Sequence, residues 1–263
     1  MRRLRLLVEY DGTSFAGFQL QGAGKRTVQG ALERAIEKAS GQFARVHGAG
    51  RTDAGVHATG QVVHFDSPWS VPPERIGLAL GTHLPPEIAV KAAEVVAPDF
   101  HARFNASGRV YRYVILNRPV PSALLGRFAY HLRDPLDVPA MQEAGRHLVG
   151  HYDFAAFGQP GKPRYSTIRH VWAVQVRPWK SCVLITVRGN AFLRQMVRSF
   201  VGTLIMVGRR RMEPGRVEVI RQSANRALCP TIAPARGLCL VRVEYGGQRY
   251  EADAENDDEA GDE

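Results

Sequence analysis

The chain has 263 residues, 44% of them hydrophobic, and carries a formal net charge of +10. Its length suits one large domain or two modest ones. No apolar run approaches the ~20 residues that span a membrane. The apolar run in residues 1–10 is too short to predict a secretory signal. The three cysteines, Cys182, Cys229 and Cys239, lack metal-ligand spacing. We interpret them as reduced thiols of a cytoplasmic protein that has no membrane partner.

The charge is unevenly distributed along the chain. Thirty of the 35 basic residues are arginine, and residues 251–263 hold eight acids and no base. Residues 1–250 therefore carry 35 bases against 17 acids, a net charge of +18. This arginine excess predicts a polyanionic partner, because guanidinium groups suit bidentate phosphate contacts and stacking on bases; a general preference for arginine over lysine is the alternative. Residues 251–263 are predicted to form a disordered acidic tail.

The first half of the chain mixes strands with two helices. Val28, Leu32 and Ile36 recur every four residues, which predicts an amphipathic helix over 28–39 with Thr27 as its N-cap. The other elements predicted here are, in order, a strand over 2–10, a short strand near 43–47, a strand over 61–65, a helix over 73–80 and a strand over 88–96.

The second half repeats this mixture. Its strongest helical pattern covers 191–207, where apolar residues occupy most of the circumference, as in a buried helix. The sequence also predicts a strand over 110–116, a helix over 140–148, an antiparallel hairpin of strands 167–176 and 182–187, a helix near 215–223 and a strand over 238–245. We therefore expect an α+β fold of two similar lobes, 1–105 and 106–250. Each would be a mainly antiparallel sheet with helices on one face, and the active cleft would lie between the lobes.

Residues 48–58 combine three glycines with one carboxylate, Asp53, and one cation, Arg51. Glycines let the backbone turn sharply and approach a ligand closely. A carboxylate on a tight loop beside a rigid strand is well placed to be a reactive group. The same composition also fits an ordinary surface turn, so the pattern alone leaves both interpretations open.

Two further segments carry candidate functional residues. Arg198 falls among apolar positions of the predicted helix over 191–207, one turn from Arg194. A buried guanidinium needs an anionic partner, which is either a structural carboxylate or a catalytic one. In residues 99–113, aromatic residues alternate with cations, and Tyr111 lies in the middle of the strand. This pattern suits base stacking and phosphate binding, although it is also typical of an ordinary edge strand.

Several motifs that would indicate other chemistry do not occur. The chain has no Gly-Lys-Ser/Thr phosphate loop and no Gly-x-Ser-x-Gly elbow, which disfavours nucleotide hydrolysis and acyl transfer. The nine histidines are scattered along the chain, so a metal site is not expected.

Taken together, the motifs resemble the TruA-type tRNA pseudouridine synthases from Val8 to Tyr245. Phe18 stands where that family usually has Trp, a difference that concerns packing. The segments that carry the resemblance are 10–19, 50–58, 100–104 with 109–113, 189–198 and 233–238.

The resemblance implies an isomerase that converts uridine to pseudouridine at positions 38, 39 and 40 of the tRNA anticodon stem-loop, with no cofactor and no metal. By motif position, it implies that Asp53 is the catalytic nucleophile and that Tyr111 stacks on the target base. Arg198 would pair with the catalytic carboxylate, and Arg51 would help displace the base from its stack. The family is homodimeric, with the RNA lying across both subunits. A non-catalytic RNA-binding module or tRNA chaperone, and an RNA glycosidase, are the alternatives.

Overall fold

The computed structural model describes residues 1–22, 24–159 and 165–246. The predicted acidic tail, 251–263, lies outside the described residues. No helix in the described part of the chain is long and apolar enough to cross a membrane. The described chain divides into two compact units, Met1–Ser107 with Cys239–Gly246, and Gly108–Leu238. The proposed lobes, 1–105 and 106–250, differ from these units mainly in the last strand, which belongs to the first unit.

The first unit is a sheet of mixed direction with two helices. Its strands follow the order β4-β1-β3-β10, and β2 pairs with β3. Strand β1 is antiparallel to both β3 and β4, whereas β10 is parallel to β3. The elements are β1 (Arg2–Tyr10), α1 (Val28–Ser40), β2 (His47–Gly48), β3 (His57–Ser67), α2 (Pro73–Gly81), β4 (Ile88–Val96) and β10 (Leu238–Tyr245).

Local sequence explains where α1 begins and ends. The Thr27 side chain accepts a hydrogen bond from the Gly30 amide, which satisfies one of the unpaired donors of the first turn. Gly41 ends the helix in the left-handed region, with φ of +74°. The apolar stripe that predicted this helix is buried, because Val28, Leu32 and Ile36 are each at most 1% exposed.

The second unit contains a mainly antiparallel sheet and three helices. Its strands follow the order β5-β9-β8-β7, and the short β6 runs parallel to β5. The elements are β5 (Ala106–Asn117), β6 (Tyr130–Leu132), α3 (Val138–Arg146), β7 (Gly150–Asp153), β8 (Ile168–Trp179), β9 (Cys182–Gly189), α4 (Met196–Gly208) and α5 (Arg216–Gln222).

The two faces of this second sheet differ in composition. Alternate residues of a strand face opposite sides, and the register aligns Tyr113, Ile185 and Val176 across β5, β9 and β8. These three side chains are at most 5% exposed. On the same face, α3 packs against β8, where Gly145 lies next to Val174.

Most predicted elements are confirmed, and the α+β class is correct. The strands predicted over 2–10, 88–96 and 238–245 have those bounds, and β8 and β9 form the predicted hairpin. The strand predicted near 43–47 is instead His47–Gly48, and β6 and β7 were not predicted.

The helix predicted over 191–207 begins only at Met196, so Arg194 does not lie on it. Two contacts hold the preceding residues out of a helix. The Asn190 side chain accepts from the Ala191 amide at 2.7 Å, and the backbone of Arg194 pairs with that of Gln159. Gln195, with φ of +63°, then turns the chain into α4.

Candidate active site

Asp53 lies on the loop that joins β2 to β3, and the backbone of this loop is held from both sides. Asp53 forms an isolated antiparallel bridge with Gly17. The Phe18 amide donates to the Thr52 carbonyl at 3.0 Å, and the Val56 amide donates back to the Asp53 carbonyl at 3.1 Å. The backbone on either side of the carboxylate is therefore fixed by hydrogen bonds.

Glycines are required at two positions around Asp53. Gly17 has a φ of +118°, and a Cβ there would lie 2.9 Å from the Thr52 carbonyl oxygen. Gly55 has a φ of +77°. Residues with a side chain rarely adopt positive φ. Gly17 therefore lets its segment approach Thr52 closely, and Gly55 lets the chain turn after Asp53.

Two buried side chains support the same loop. Gln61, which is fully buried, donates from Nε2 to the Gly50 carbonyl at 2.7 Å and accepts from the Gly50 amide at 3.2 Å. The Tyr10 hydroxyl lies 2.8 Å from Thr52 Oγ1. Sequence reasoning missed both supports. The sequence offered one signal for Gln61, which is a polar amide residue at the first position of the predicted strand over 61–65.

The two charged residues of the loop differ in exposure. Asp53 is half-buried, whereas Arg51 is exposed and the intervening Thr52 is buried. A half-buried carboxylate keeps access to a ligand while part of its surroundings excludes water. An exposed guanidinium two residues away adds positive charge at the loop surface.

In the second unit, Tyr111 lies on β5 opposite Val187 of β9 and is 9% exposed. Its ring meets the Phe192 ring edge to face, with centroids 5.4 Å apart and planes at 90°. This arrangement is favourable for an aromatic pair. Phe192, which sequence reasoning did not assign, therefore holds the orientation of the Tyr111 ring.

Asn190 holds the segment that carries Phe192. Its Oδ1 accepts from the His170 amide at 2.8 Å as well as from Ala191, and its backbone carbonyl accepts from Arg109 Nη1 at 2.8 Å. Asn190 is 1% exposed. A buried amide that is satisfied in this way specifies one local conformation.

Arg198 lies in the first turn of α4 and is half-buried. Its Nε donates to the Ala233 carbonyl at 2.8 Å, and its own carbonyl accepts from the Ala233 amide at 3.0 Å. Close approach is possible here because Gly202 of the same helix lies against the Thr231 carbonyl. The contact through Nε fixes the plane of the guanidinium group.

Tyr113 is a structural neighbour of Arg198. Its hydroxyl donates to the Pro234 carbonyl at 2.8 Å. Burial raises the pKa of Tyr113 above its ordinary value, while the charges of Arg198 and Arg236 act in the opposite direction. The hydroxyl is therefore a neutral donor that holds the Pro234 carbonyl.

Within the described residues, no group of three or more His, Cys, Asp and Glu side chains could hold a metal ion. His147 and His151 have a spacing of four, but they belong to different surroundings. His147 Nδ1 lies 3.3 Å from a Glu218 carboxylate oxygen, whereas the His151 ring contacts that of His170.

The predicted site residues fall into two pairs. Arg51 and Asp53 share one loop of the first unit. Tyr111 and Arg198 both belong to the second unit, one on β5 and one on α4. The catalytic roles given to these four residues remain predictions.

Comparison with known proteins shows the family to which this chain belongs. A family model described as tRNA pseudouridine synthase matches residues 6–105 and 144–246. The protein named tRNA pseudouridine synthase A of Shouchella clausii is 45% identical over 247 residues, which cover 94% of this chain and 94% of that protein. The proteins of the same name from Brevibacillus brevis and Solidesulfovibrio magneticus are 42% and 45% identical. These two matches cover 93% and 94% of this chain, and 100% and 92% of the respective proteins.

A solved structure titled "Crystal Structure of a Cbf5-Nop10-Gar1 Complex" aligns with 90% of this chain and 57% of that chain. Its TM-score is 0.34 and its sequence identity is 12%. This likeness is too weak to bear on the fold or on the site.

Proposed function

Because this chain belongs to the tRNA pseudouridine synthase family, we propose that it converts uridine to pseudouridine at positions 38, 39 and 40 of the tRNA anticodon stem-loop. Family membership supports an enzyme that isomerises uridine in tRNA. The three positions follow from the resemblance carried by the motifs at 50–58 and 189–198. The observation that carries the proposal is the half-buried carboxylate of Asp53 on a loop held by backbone hydrogen bonds.

The reaction replaces the C1′–N1 bond of uridine by a C1′–C5 bond. One proton leaves C5 and one is gained at N1, so the product is an isomer and no external oxidant or reductant is consumed. The target base must first leave its stack, which costs a few kcal/mol. Stacking on an aromatic ring returns about 1–3 kcal/mol per base. Tyr111, held by Phe192, is suited to this role.

Asp53 supplies the nucleophilic carboxylate, which attacks either the sugar carbon or the uracil ring. It must be ionised to react. A cation about 4 Å from a carboxylate stabilises the ionised form by roughly 4 kcal/mol at an effective dielectric constant near 20. Arg198 would provide that cation. Its bond to Ala233 supports this role, because a guanidinium of fixed plane presents its terminal nitrogens in a defined geometry.

Arg51 would help displace the target base, and its exposure beside Asp53 supports that role. We infer that the enzyme is a cytoplasmic homodimer that binds RNA across both subunits. The net charge of +18 over residues 1–250 supports an RNA partner. Homodimer formation and compartment follow from the resemblance and from the cysteine content.

The test is Asp53→Asn, assayed by tritium release from C5-labelled tRNA under single-turnover conditions. The amide keeps the size of the side chain but removes the nucleophile. We expect the rate to fall by about 10⁴-fold or more while tRNA affinity is retained. Asp99→Asn, at an exposed position of the same unit, is the matched control and should release tritium at the wild-type rate.

The alternatives give different outcomes. Near wild-type turnover in Asp53→Asn would refute the assignment of the nucleophile. A non-catalytic RNA-binding module or tRNA chaperone would bind tRNA without releasing tritium. An RNA glycosidase would release free uracil, which chromatography would detect.

A further inference from the structure

The sheet of the second unit has a face that the proposed site does not use. Tyr111 lies on the face that carries Tyr113 and packs against α3. The register aligns Arg112, Thr186 and Gln175 on the opposite side, together with Arg188 and Arg177. We call this side the outer face. Arg177, Arg188 and Gln175 are exposed, and Arg112 and Thr186 are half-buried.

A row of rings and one guanidinium crosses the outer face. His151 of β7 pairs in register with His170 of β8, and their ring centroids lie 5.9 Å apart. The Trp172 ring follows, 5.9 Å from that of His170. The Arg188 guanidinium lies 4.6 Å from the Trp172 ring centroid. Trp172 occupies the irregularity between Val171 and Ala173, where the strand register shifts by one residue.

The charge of the outer face is mainly positive. Strands β5, β8 and β9 contain no Asp or Glu in their described residues, and the outer face carries Arg112, Arg177 and Arg188. One carboxylate, Asp153 of β7, lies on the same side as His151 because alternate residues of a strand share a face. It accepts a hydrogen bond from the Ala155 amide at 2.8 Å. The buried Nε of Arg112 has no hydrogen-bond partner within the described part of the chain, and leaving such a donor unpaired is costly.

The combination of arginines and aromatic rings on the outer face favours one kind of partner over others. A second copy of the outer face would bring arginines against arginines, and like charges repel. An acidic protein surface would match the positive charge of the face but would not explain the row of rings. RNA offers phosphates for the guanidinium groups and unpaired bases that stack on aromatic rings.

We propose that the outer face is a second RNA-contact surface, which binds an unpaired segment of tRNA outside the anticodon arm. Arg177 and Arg188 contact phosphates, and Trp172 stacks on an unpaired base. This inference rests on the proposed function only in taking tRNA as the RNA. The bound segment is not the one held at the site, because Tyr111 faces the other side of the same sheet.

The experiment compares two RNA probes, unmodified full-length tRNA and the isolated anticodon stem-loop. Affinities are measured by fluorescence anisotropy as a function of salt for Arg177→Gln/Arg188→Gln, Trp172→Ala and Trp172→Phe. Arg216→Gln, an exposed arginine of α5 in the same unit, is the matched control. Thermal unfolding and light scattering report fold and oligomeric state.

For full-length tRNA, losing two phosphate contacts should lower the slope of log affinity against log salt by about 1.4, as for single-stranded nucleic acid. Trp172→Ala should weaken binding by about 5- to 150-fold with an unchanged slope, and Trp172→Phe should restore most of it. Affinity for the isolated stem-loop should not change in any variant. Tritium release from saturated enzyme should also be unchanged.

Wild-type slopes and affinities in the double arginine and Trp172→Ala variants would overturn the inference. So would an equal loss of affinity for the isolated stem-loop, or a change in oligomeric mass that accompanies weaker binding. Failure of the proposed function looks different, because wild-type protein would then release no tritium whatever its affinity for tRNA.

Discussion

The loop of Asp53 and the surroundings of Arg198 and Tyr111 hold their side chains in different ways. Around Asp53 the backbone itself is fixed, through the bridge to Gly17, the bonds of Thr52 and Val56, and the amide of Gln61. Around Tyr111 and Arg198 the backbone is an ordinary strand or helix, and single contacts orient the side chains. In the first unit, hydrogen bonds to the backbone therefore position the candidate group, whereas in the second unit one contact to each candidate side chain orients it.

The largest effect that tests this comparison is expected from Arg198→Lys. Lysine keeps the charge but loses the Nε bond to Ala233 and the planar fork. Losing the geometry of the proposed pair with Asp53 should cost an amount at the lower end of the roughly 2–5 kcal/mol for truncating one partner of a buried, hydrogen-bonded charge pair. We therefore expect the single-turnover rate to fall by about a hundredfold or more, with tRNA affinity nearly unchanged.

Arg211→Lys, at an exposed arginine just beyond α4, is the control and should keep the wild-type rate. If Arg198→Lys isomerises tRNA as fast as wild type, the geometry of the guanidinium group is irrelevant. A charge anywhere nearby would then suffice, and the contrast between the two units would fail.

Gln61→Leu should have a smaller effect on rate but should also reduce stability. Leucine leaves the Gly50 amide and carbonyl without their buried partner, and each such loss costs about 1–3 kcal/mol. We expect the free energy of unfolding to fall by about 2 kcal/mol and the rate by about tenfold, since small displacements of a reactive group are costly.

Chemical denaturation and single-turnover tritium release measure both quantities, with Gln42→Leu at an exposed position as the control. The comparison is sharpened if Gln61→Leu, which loses two bonds to Gly50, lowers stability more and rate less than Arg198→Lys. A stable and fully active Gln61→Leu variant would mean that the backbone bonds hold Asp53 unaided.

Elements with a strong local pattern could be predicted from the sequence. The apolar spacing and Thr27 cap define α1, and the alternation in β1 matches its buried Leu4, Leu6 and Val8. The start of α4 could not be predicted, because the apolar pattern continues through Phe192 and Leu193. What ends that pattern is a long-range pairing of Arg194 with Gln159. The short strands β6 and β7 lack a core pattern of their own.

The candidate site shows the same division. The residues that would touch RNA or the reacting atoms, such as Asp53 and Tyr111, could be named from motifs. The residues that support them could not, because Gln61, Phe192 and Ala233 act through contacts that periodicity does not reveal. Ala233 is 35 residues from Arg198 in the chain. Such distant pairings depend on the completed fold rather than on local pattern.

The smallest expected effect concerns residues 251–263 and links the charge distribution of the chain to its RNA-binding surfaces. Eight acids on this segment can compete with phosphate for the arginines. Deleting the segment should tighten binding of a non-cognate RNA duplex by about two- to fivefold at 0.01 M salt, where the Debye length is about 30 Å. The effect should disappear near 0.15 M salt, where the Debye length is about 8 Å.

A segment of equal length with each acid replaced by its amide separates charge from bulk. If the acids act, this variant binds like the truncated chain at low salt. Equal affinity of the intact and truncated chains at 0.01 M salt would leave the segment with a solubilising role alone. Combining the truncation with Arg177→Gln/Arg188→Gln locates the competition. If the acids screen the outer face, the gain from truncation is lost in the combined variant; if they screen the surroundings of Arg51, it persists.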